Sequence, residues 1–447
     1  MKNKLFISIY CGLMILLASC NNYLDVKPKG KIIPETAEDF STIIHYWLDQ
    51  IEKGRDDVII PNPEVMTTLE MFADDLNATL ASNFGYTSIY VGSAINKNQA
   101  TYKTLYSVIK DCNMVIGNMD DTESDLARTL LGTAWSIRSI CYYNLMQRYC
   151  EPYQPETAKE TLGLPLVDDF DMEAKPARAN LKETAEFIEE GFRKALSYNV
   201  SNEDFIFTSS VTKAYFARFF FWTQNWSNAI TYAKEVLEKY PMLEADEYVE
   251  AINQKQAKAH NVIIRSFTMD DDIGTMSYAT AQADIKSRPV DKNLVDLFAA
   301  TDNDVRRRCN YDSKRIVNKI ITTKFRSEEL CLIIAEAHAH LNQETDALGY
   351  LNQLRSKRIT QNYIAYTIDN LPEVFQQNIK TDATGIPLTK LMSAILCERR
   401  KELFVEGDRW FELKRNGRPE FWVAAKGKKF ITEKYLYTFP IPKADIR

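Results

Sequence analysis

The sequence predicts a mostly α-helical protein, in which helix pairs form one body with long irregular loops and few short strands. Three observations support this prediction. Apolar residues recur every three or four positions along much of the chain, two stretches have the pattern of paired helices, and two polar stretches interrupt them. The chain has 447 residues, of which 45% are hydrophobic, which is enough for a large core.

Single helices are predicted in the N-terminal part of the chain. Thr36 has the character of a helix N-cap, with Asp39 as its capping partner, and apolar residues follow at helical spacing. The same spacing predicts helices near Gln99–Met119, at Leu126–Tyr149, and from Asn180 or Thr184 to about Leu196.

Two longer stretches are predicted to be helix pairs. Thr208–Pro241 has alanines and aromatic residues in both halves, a turn at Asn225 and a closing proline. Ser327–Arg358 places alanines in related positions. The length of these stretches and the placement of their small residues resemble tetratricopeptide units, because small residues let two helices approach closely.

Two insertions separate the helical stretches. His260–Arg288 begins with a possible short strand, "VIIRSF", and continues as a polar stretch that predicts a loop. Thr360–Thr389 is a second polar insertion. Long loops within a helical array usually carry function or are disordered.

The N-terminus resembles a bacterial lipoprotein signal. Lys2 and Lys4 precede an apolar run of roughly a dozen residues, too short to span a bilayer comfortably, which ends in Leu-Ala-Ser-Cys at Cys20. The alternative is an ordinary secretory signal with an incidental cysteine. We therefore expect a signal peptide at 1–19, a lipid-anchored leader at 20–35 and a helical body at 36–447, with halves at about 36–200 and 201–447.

Composition and motifs argue against several classes of function. A net charge of −6 disfavours a general nucleic-acid binder. The sequence has no nucleophile elbow, phosphate-binding loop or His-Glu-x-x-His pattern, and His338 and His340 point apart on a predicted helix. We predict no catalytic residue, no metal site and no cofactor. The run Asp270–Asp272 is interpreted as a solvated loop, and the six cysteines after Cys20 as buried free thiols.

The densest group of charges lies in Cys397–Gly417, "CERRKELFVEGDRWFELKRNG", which is called the hallmark segment below. Its acidic and basic residues nearly balance, and they alternate with Leu403, Phe404 and Trp410. An active site needs one perturbed group in a cleft, and a nucleic-acid surface needs excess positive charge. We therefore interpret the segment as a packed helical element whose arginines and glutamates pair with neighbouring helices.

The hallmark segment resembles the signature of the SusD/RagB family, approximately E-R-R-x-E-L-x-x-E-G-x-R-W-x-D-L-x-R-x-G. Glu412 stands where the family more often has aspartate. The closing "YLYTFPIPKADI" and the stretch "FRSEELCLIIAEAHAHLN" are also similar to family motifs. The matching positions of the signature are Glu398, Arg399, Arg400, Glu402, Leu403, Glu406, Gly407, Arg409, Trp410, Leu413, Arg415 and Gly417.

This resemblance implies a helical lipoprotein of the cell outer membrane, exposed at the surface and anchored by its N-terminal lipid. The family partners a SusC-like TonB-dependent transporter, binds oligosaccharides or in some members peptides, and has no enzymatic activity. Two alternatives are a glycan-degrading surface lipoprotein and a helical-repeat scaffold that binds no small ligand.

The resemblance also implies where a ligand would be bound. In the family, contacts come mostly from loops between the N-terminal helices and from a mid-chain loop. A surface or packing role is the alternative for every residue chosen on this basis. The candidate ligand contacts are Asp74, Asp75, Asn77, Tyr86, Tyr90 and Tyr102 in the first region, and Arg265, Phe267 and Tyr278 in the second.

We predict that Cys20→Ala releases the protein from the membrane, because it removes the only thiol placed to receive lipid at the end of the apolar run. Detergent-phase partitioning of cells expressing each variant measures the effect. Cys11→Ala, within the apolar run, is the matched control and should partition like the unmodified chain. Retention of the Cys20→Ala variant in the detergent phase would contradict the lipid anchor.

Overall fold

The computed structural model describes residues 34–445, except 56–57, 83–89, 94, 96–98, 170–175, 253, 255–258, 267–275, 299–302, 322 and 426. Cys20, Tyr86, Phe267 and the run Asp270–Asp272 lie outside the described residues.

Helices make up most of the described chain, as predicted. They are α1 (Ala37–Glu52), α2 (Pro63–Phe72), α3 (Gln99–Asn118), α4 (Asp125–Tyr149), α5 (Leu181–Ser197), α6 (Ser209–Trp222), α7 (Trp226–Lys239), α8 (Ala245–Ile252), α9 (Met276–Lys286), α10 (Lys292–Val295), α11 (Val305–Asn310), α12 (Ser327–His340), α13 (Glu344–Ser356), α14 (Lys390–Glu402) and α15 (Arg409–Arg415).

The described strands form three separate antiparallel pairs. They are β1 (Leu162–Pro165) with β2 (Arg178–Asn180), β3 (Val262–Arg265) with β4 (Lys324–Arg326), and β5 (Phe421–Ala425) with β6 (Lys428–Thr432). The strand predicted in "VIIRSF" is β3. The hairpin of β5 and β6 was not predicted.

The helices predicted in the N-terminal part are confirmed within a few residues. At α1 the Thr36 hydroxyl accepts the Asp39 N–H at 3.3 Å, and the Asp39 carboxylate accepts the Thr36 N–H at 3.1 Å, which forms the expected capping box. Helix α5 has an equivalent box between Asn180 and Glu183. Both helices then begin where their side chains satisfy the first free backbone amides.

Both predicted helix pairs are confirmed. Helices α6 and α7 form the first pair, α12 and α13 form the second, and α12 packs against α7 so that the pairs stack. Ala229, Ala233 and Ala337 are fully buried along these helices. Aromatic rings fill the space beside them, with Phe216 and Phe220 stacked at 4.2 Å. The small residues permit close helix contact, and the rings fill the space beside them with buried apolar surface.

Two local predictions were wrong. Residues 276–286 form helix α9, although the polar stretch predicted a loop; burial of Ala281 and Ile285 against neighbouring elements outweighs the weak apolar pattern. The hallmark segment is not one helix. It is α14 and α15 joined by a turn in which Val405 and Gly407 adopt φ angles of 55° and 80°. The turn changes the direction of the chain between the two helices.

An ion-pair network surrounds the first helix of the hallmark segment. The Glu402 carboxylate accepts from Arg358 Nε at 3.0 Å and from Arg326 Nη1 at 2.9 Å, and Arg306 Nη1 lies 3.5 Å away. Glu328 joins the network through Arg358 at 2.8 Å. All of these side chains are buried, and the predicted pairing of the segment's charges with other helices is therefore confirmed.

Glu398 and Glu406 extend the network along the same segment. Glu398 accepts from Arg306 and from Lys401, each at 2.7 Å. Glu406 lies 2.6 Å from Lys319 Nζ. Burial alone would raise the pKa of each carboxyl, but the surrounding cations outweigh it and lower the pKa of Glu398 and of Glu406 to about 2. Each buried carboxylate therefore stays ionised at neutral pH.

We predict that Glu402→Gln lowers the free energy of unfolding by about 3–5 kcal/mol, because it leaves buried guanidinium groups without their shared anion. The cations hold the Glu402 pKa below its ordinary value of 4.5 against the opposing effect of burial. Its contribution is therefore present above about pH 4.5 and is lost as the pH falls toward the folded-state pKa, so the difference between the two proteins should shrink in acid.

Chemical unfolding at several pH values measures this difference. Glu373→Ala is the control, because Glu373 pairs with Lys390 at 2.5 Å on the surface, where a pair contributes about 1 kcal/mol or less. A Glu402→Gln loss no larger than that of the control at pH 7 would contradict a structural role for the network.

Candidate functional site

Two exposed aromatic residues lie on the C-terminal hairpin or just after it. Trp422 on β5 is 58% exposed, and Tyr435, in a short 3-10 turn after β6, is 63% exposed. Ile431 on β6 is also exposed. These residues, together with Tyr90 and Phe430, which stack on the other side of the hairpin, are called the aromatic face below. Large apolar side chains grouped at a surface commonly mark a binding site.

The strand register explains the orientation of the aromatic face. Trp422 is paired directly with Ile431, so both side chains project from the outer side of the hairpin. Phe430 projects from the opposite side and stacks on Tyr90, with ring centroids 4.7 Å apart. Lys429 Nζ lies 4.7 Å from the centre of the Trp422 ring. The Tyr90–Phe430 stack therefore supports one side of the hairpin, and the Trp422 ring is exposed on the other side.

The turn that precedes Tyr90 also supports the hairpin. Thr79 Oγ1 donates to the Ala424 carbonyl at 3.0 Å. The Asn77 side chain accepts the Thr79 and Leu80 N–H groups, and its Nδ2 donates to Asp291 at 3.0 Å. Asn77 thus shapes the turn that contacts β5. Of the candidate ligand contacts, the structure brings Asn77 and Tyr90 to the aromatic face.

Asp74 and Asp75 are occupied by the hallmark segment. Asp74 accepts from Arg409 Nε at 2.7 Å and from Asn378 at 2.8 Å, and Asp75 accepts from Arg400 Nε at 2.6 Å. Asp75 is completely buried. Both carboxylates tie the N-terminal region to α14 and α15, and in this arrangement neither is open to a ligand. These pairings could not be predicted from the sequence, because Asn378, Arg400 and Arg409 are more than three hundred residues away.

Tyr102 packs inside the protein. It is buried, with its ring 4.9 Å from that of Tyr106 and 5.0 Å from that of Tyr149. Burial raises the pKa of Tyr102 to about 12. The structure gives it the packing role that was the alternative for each aromatic candidate.

The mid-chain candidates lie apart from the aromatic face. Arg265 lines a groove of about 340 Å³ together with Glu52, Glu203 and Tyr240, and no residue of the aromatic face lines it. Tyr278 is buried on α9, with its hydroxyl 3.4 Å from Gln282 Oε1. These two residues therefore do not join Tyr90 in one site.

Sequence reasoning missed Trp422, Phe430 and Tyr435. A signal was present, since apolar residues in "FWVAAKGKKFIT" flank a Lys-Gly turn and alternate in part, as in a hairpin. Gly427 adopts a φ of 72° at this turn. The aromatic face itself could not be recognised, because Tyr90 reaches it from the other end of the chain.

The hallmark segment also lines a partly open cavity of about 130 Å³. Ion pairs join residues of its lining: Arg399 Nε donates to Asp408 at 2.8 Å, and Arg218 pairs with Glu329. Pockets that enclose drug-sized ligands measure about 300–1,000 Å³, so this cavity is too small for an oligosaccharide. The surface of the protein is the better place for such a ligand.

In the part of the chain that the structure describes, no group of three or more His, Cys, Asp and Glu side chains is placed to hold a metal ion. Across the same residues, no helix has the length and apolar character needed to cross a membrane.

Two family models match this chain in separate segments. One is described as "Starch-binding associating with outer membrane" and matches residues 22–221, and the other is described as "SusD family" and matches residues 307–447. Together the two segments take in most of the chain. No curated protein matches it.

Solved structures share the fold over nearly the whole chain. A SusD superfamily protein from Bacteroides thetaiotaomicron is 16% identical, with a TM-score of 0.71, and the match covers 92% of this chain and 97% of that one. A SusD-like carbohydrate-binding protein from Bacteroides vulgatus is 17% identical, with a TM-score of 0.67 and coverage of 92% and 96%.

A SusD superfamily protein from Bacteroides fragilis is 17% identical, with a TM-score of 0.68 and coverage of 93% and 98%. At such identities the likeness establishes the fold, and the two family models add the sequence motifs. The stacked helix pairs, the paired charges of the hallmark segment and these matches agree, and the chain belongs to the SusD-like family.

Proposed function

We propose that this protein captures oligosaccharides at the cell surface and delivers them to a SusC-like TonB-dependent transporter. The observation that carries the proposal is the aromatic face, in which Trp422 stays exposed on a supported hairpin and Tyr435 stays exposed in the turn after it. A similar solved protein is described as carbohydrate binding, and one matching family model as starch-binding and associating with the outer membrane.

The chemistry of the aromatic face suits a sugar. The flat ring of Trp422 can stack on the C–H groups of a pyranose, and Tyr435 adds a second ring with a hydroxyl that can donate or accept. Lys429 beside the Trp422 ring provides a donor for sugar hydroxyls. Because the Tyr90–Phe430 stack and the Thr79–Ala424 hydrogen bond hold the hairpin, little ordering entropy is lost on binding.

The other candidate ligand-contact residues have different roles in this proposal. Asn77 and Tyr90 are positioning residues, and Tyr86, four residues before Tyr90, is kept as a candidate contact. Arg265 and Phe267 would serve a second contact region. A peptide ligand is the alternative cargo, since exposed aromatic rings also bind apolar side chains.

The proposed location follows from the N-terminal pattern. A lipid on Cys20 would hold the protein on the outer membrane, and the leader at 20–35 would connect it to the helical body at 36–447. Multiple acyl chains give firm anchoring, whereas one alone is marginal. Tethering beside a transporter raises the effective concentration of captured ligand at its entrance.

We expect Trp422→Ala to weaken binding of neutral oligosaccharides by roughly 2- to 12-fold, because an aromatic contact contributes about 0.5–1.5 kcal/mol. Titration calorimetry with a panel of oligosaccharides and peptides measures the change. Tyr46→Ala is the matched control, because Tyr46 is 56% exposed on α1, and it should bind like the unmodified chain. Unchanged affinity of Trp422→Ala for every ligand of the panel would rule out the aromatic face as the binding site.

The delivery step predicts a stable partner. Affinity purification of the full chain from its native outer membrane in mild detergent should recover a TonB-dependent transporter in near-equal amount, as identified by mass spectrometry. Recovery of the lipid-anchored chain alone, with oligosaccharide binding intact, would separate capture from delivery and contradict the latter.

A further inference from the structure

A groove of about 480 Å³ lies outside the aromatic face and is lined by three arginines. Arg307 and Arg308 come from α11, Arg315 comes from the turn after it, and Gln361 closes the opposite side. These residues and Tyr311 are called the arginine groove below. Its volume falls within the range typical of ligand pockets, about 300–1,000 Å³.

The acidic residues of this groove are already paired. Asp304 accepts from Arg306 Nε at 2.9 Å and from Nη2 at 2.7 Å, at the buried side of α11. Asp312 Oδ1 accepts the Lys314 and Ile316 N–H groups at 2.9 and 2.8 Å. Both carboxylates therefore have their partners in the fold.

The arginines have no such partner among the described carboxylates, where no ion pair involves Arg307, Arg308 or Arg315. Arg307 and Arg308 are exposed, and Arg315 is half-buried. In the described part of the chain, the charge that the groove offers to a ligand is therefore positive.

A buried hydroxyl also lines the arginine groove. Tyr311 is more than nine-tenths buried, and the Arg307 guanidinium lies beside its hydroxyl as a hydrogen-bond donor. A phenol oxygen that accepts from an arginine keeps its own O–H free to donate elsewhere. Tyr311 can therefore donate a hydrogen bond to an oxyanion while the guanidinium groups bind its other oxygens.

We infer that the arginine groove binds the oxyanions of an acidic oligosaccharide, carried by carboxylates or by sulfate esters. The inference rests on the proposed function as a glycan-capturing protein and names the class of glycan. Guanidinium groups match carboxylate and sulfate oxygens through paired N–H donors, and they keep their charge at any physiological pH.

Backbone hydrogen bonds connect Arg315 of the arginine groove with the turn that supports β5. The Val290 N–H donates to the Arg315 carbonyl at 2.8 Å, and Leu76 pairs with Val290 as an antiparallel bridge. The Asn77 N–H donates to the Pro289 carbonyl at 2.8 Å. Arg315 is therefore about two strand spacings, roughly 10 Å, from the turn that supports β5. One oligosaccharide chain could contact both surfaces.

The test uses the full chain in detergent and three probes: a galacturonate hexasaccharide, a heparin-derived hexasaccharide and neutral maltohexaose. Calorimetry should show tighter binding of at least one acidic probe than of maltohexaose. The double variant with Arg307→Gln and Arg308→Gln should bind that acidic probe at least about tenfold more weakly, because it lacks charge-assisted hydrogen bonds. The preferred acidic probe tells whether carboxylate or sulfate is the recognised group.

Three comparisons make the outcome specific. Arg128→Gln, at an exposed position of α4, is the matched control and should leave the affinity unchanged. Raising the salt concentration should weaken binding of the acidic probe more for the unmodified chain than for the double variant. Maltohexaose should bind both proteins equally, and thermal unfolding should show that both variants fold.

The inference is overturned if neither acidic probe binds more tightly than maltohexaose, or if the double variant and Arg128→Gln lose affinity equally. Trp422→Ala distinguishes this failure from failure of the proposed function. Loss of acidic-probe binding in the arginine variant with no effect of Trp422→Ala would support the arginine groove and exclude the aromatic face.

Discussion

The ion pairs of the buried Glu402 carboxylate are the interaction on which the rest of this structure depends. Arg306 comes from α11, Arg326 from β4 and Arg358 from the end of the second helix pair, and all three converge on it. Removing charges from water is costly, and attraction compensates for that cost only when the geometry is favourable. The network therefore favours the arrangement of these elements in which each buried charge has its partners.

The same segment connects the buried network to the surface. Arg400 and Arg409 bind Asp75 and Asp74, which fixes the start of the 74–80 turn. Within that turn, Thr79 holds β5 of the hairpin. These contacts and the short turn between them link the protein interior to β5. In the proposed function, the charge-rich segment therefore supports the binding surface without touching a ligand.

The surface offers two kinds of chemistry close together. The aromatic face is apolar and carries a single lysine beside Trp422, whereas the arginine groove carries positive charge and a buried hydroxyl. In the proposed function, weak contacts spread over both surfaces would suit a ligand that is captured and then released. The cavity beside the hallmark segment is too small to compete with them for an oligosaccharide.

Local pattern alone determined the helix pairs, the capping box at Thr36 and the packed character of the hallmark segment, because helical spacing and capping involve residues only a few positions apart. Tertiary structure decided that Asp74 and Asp75 are structural partners, that Tyr102 is a core residue, and that Tyr90 meets the hairpin. Those outcomes depend on contacts between opposite ends of the chain, such as Asp74 with Arg409, which no local periodicity encodes.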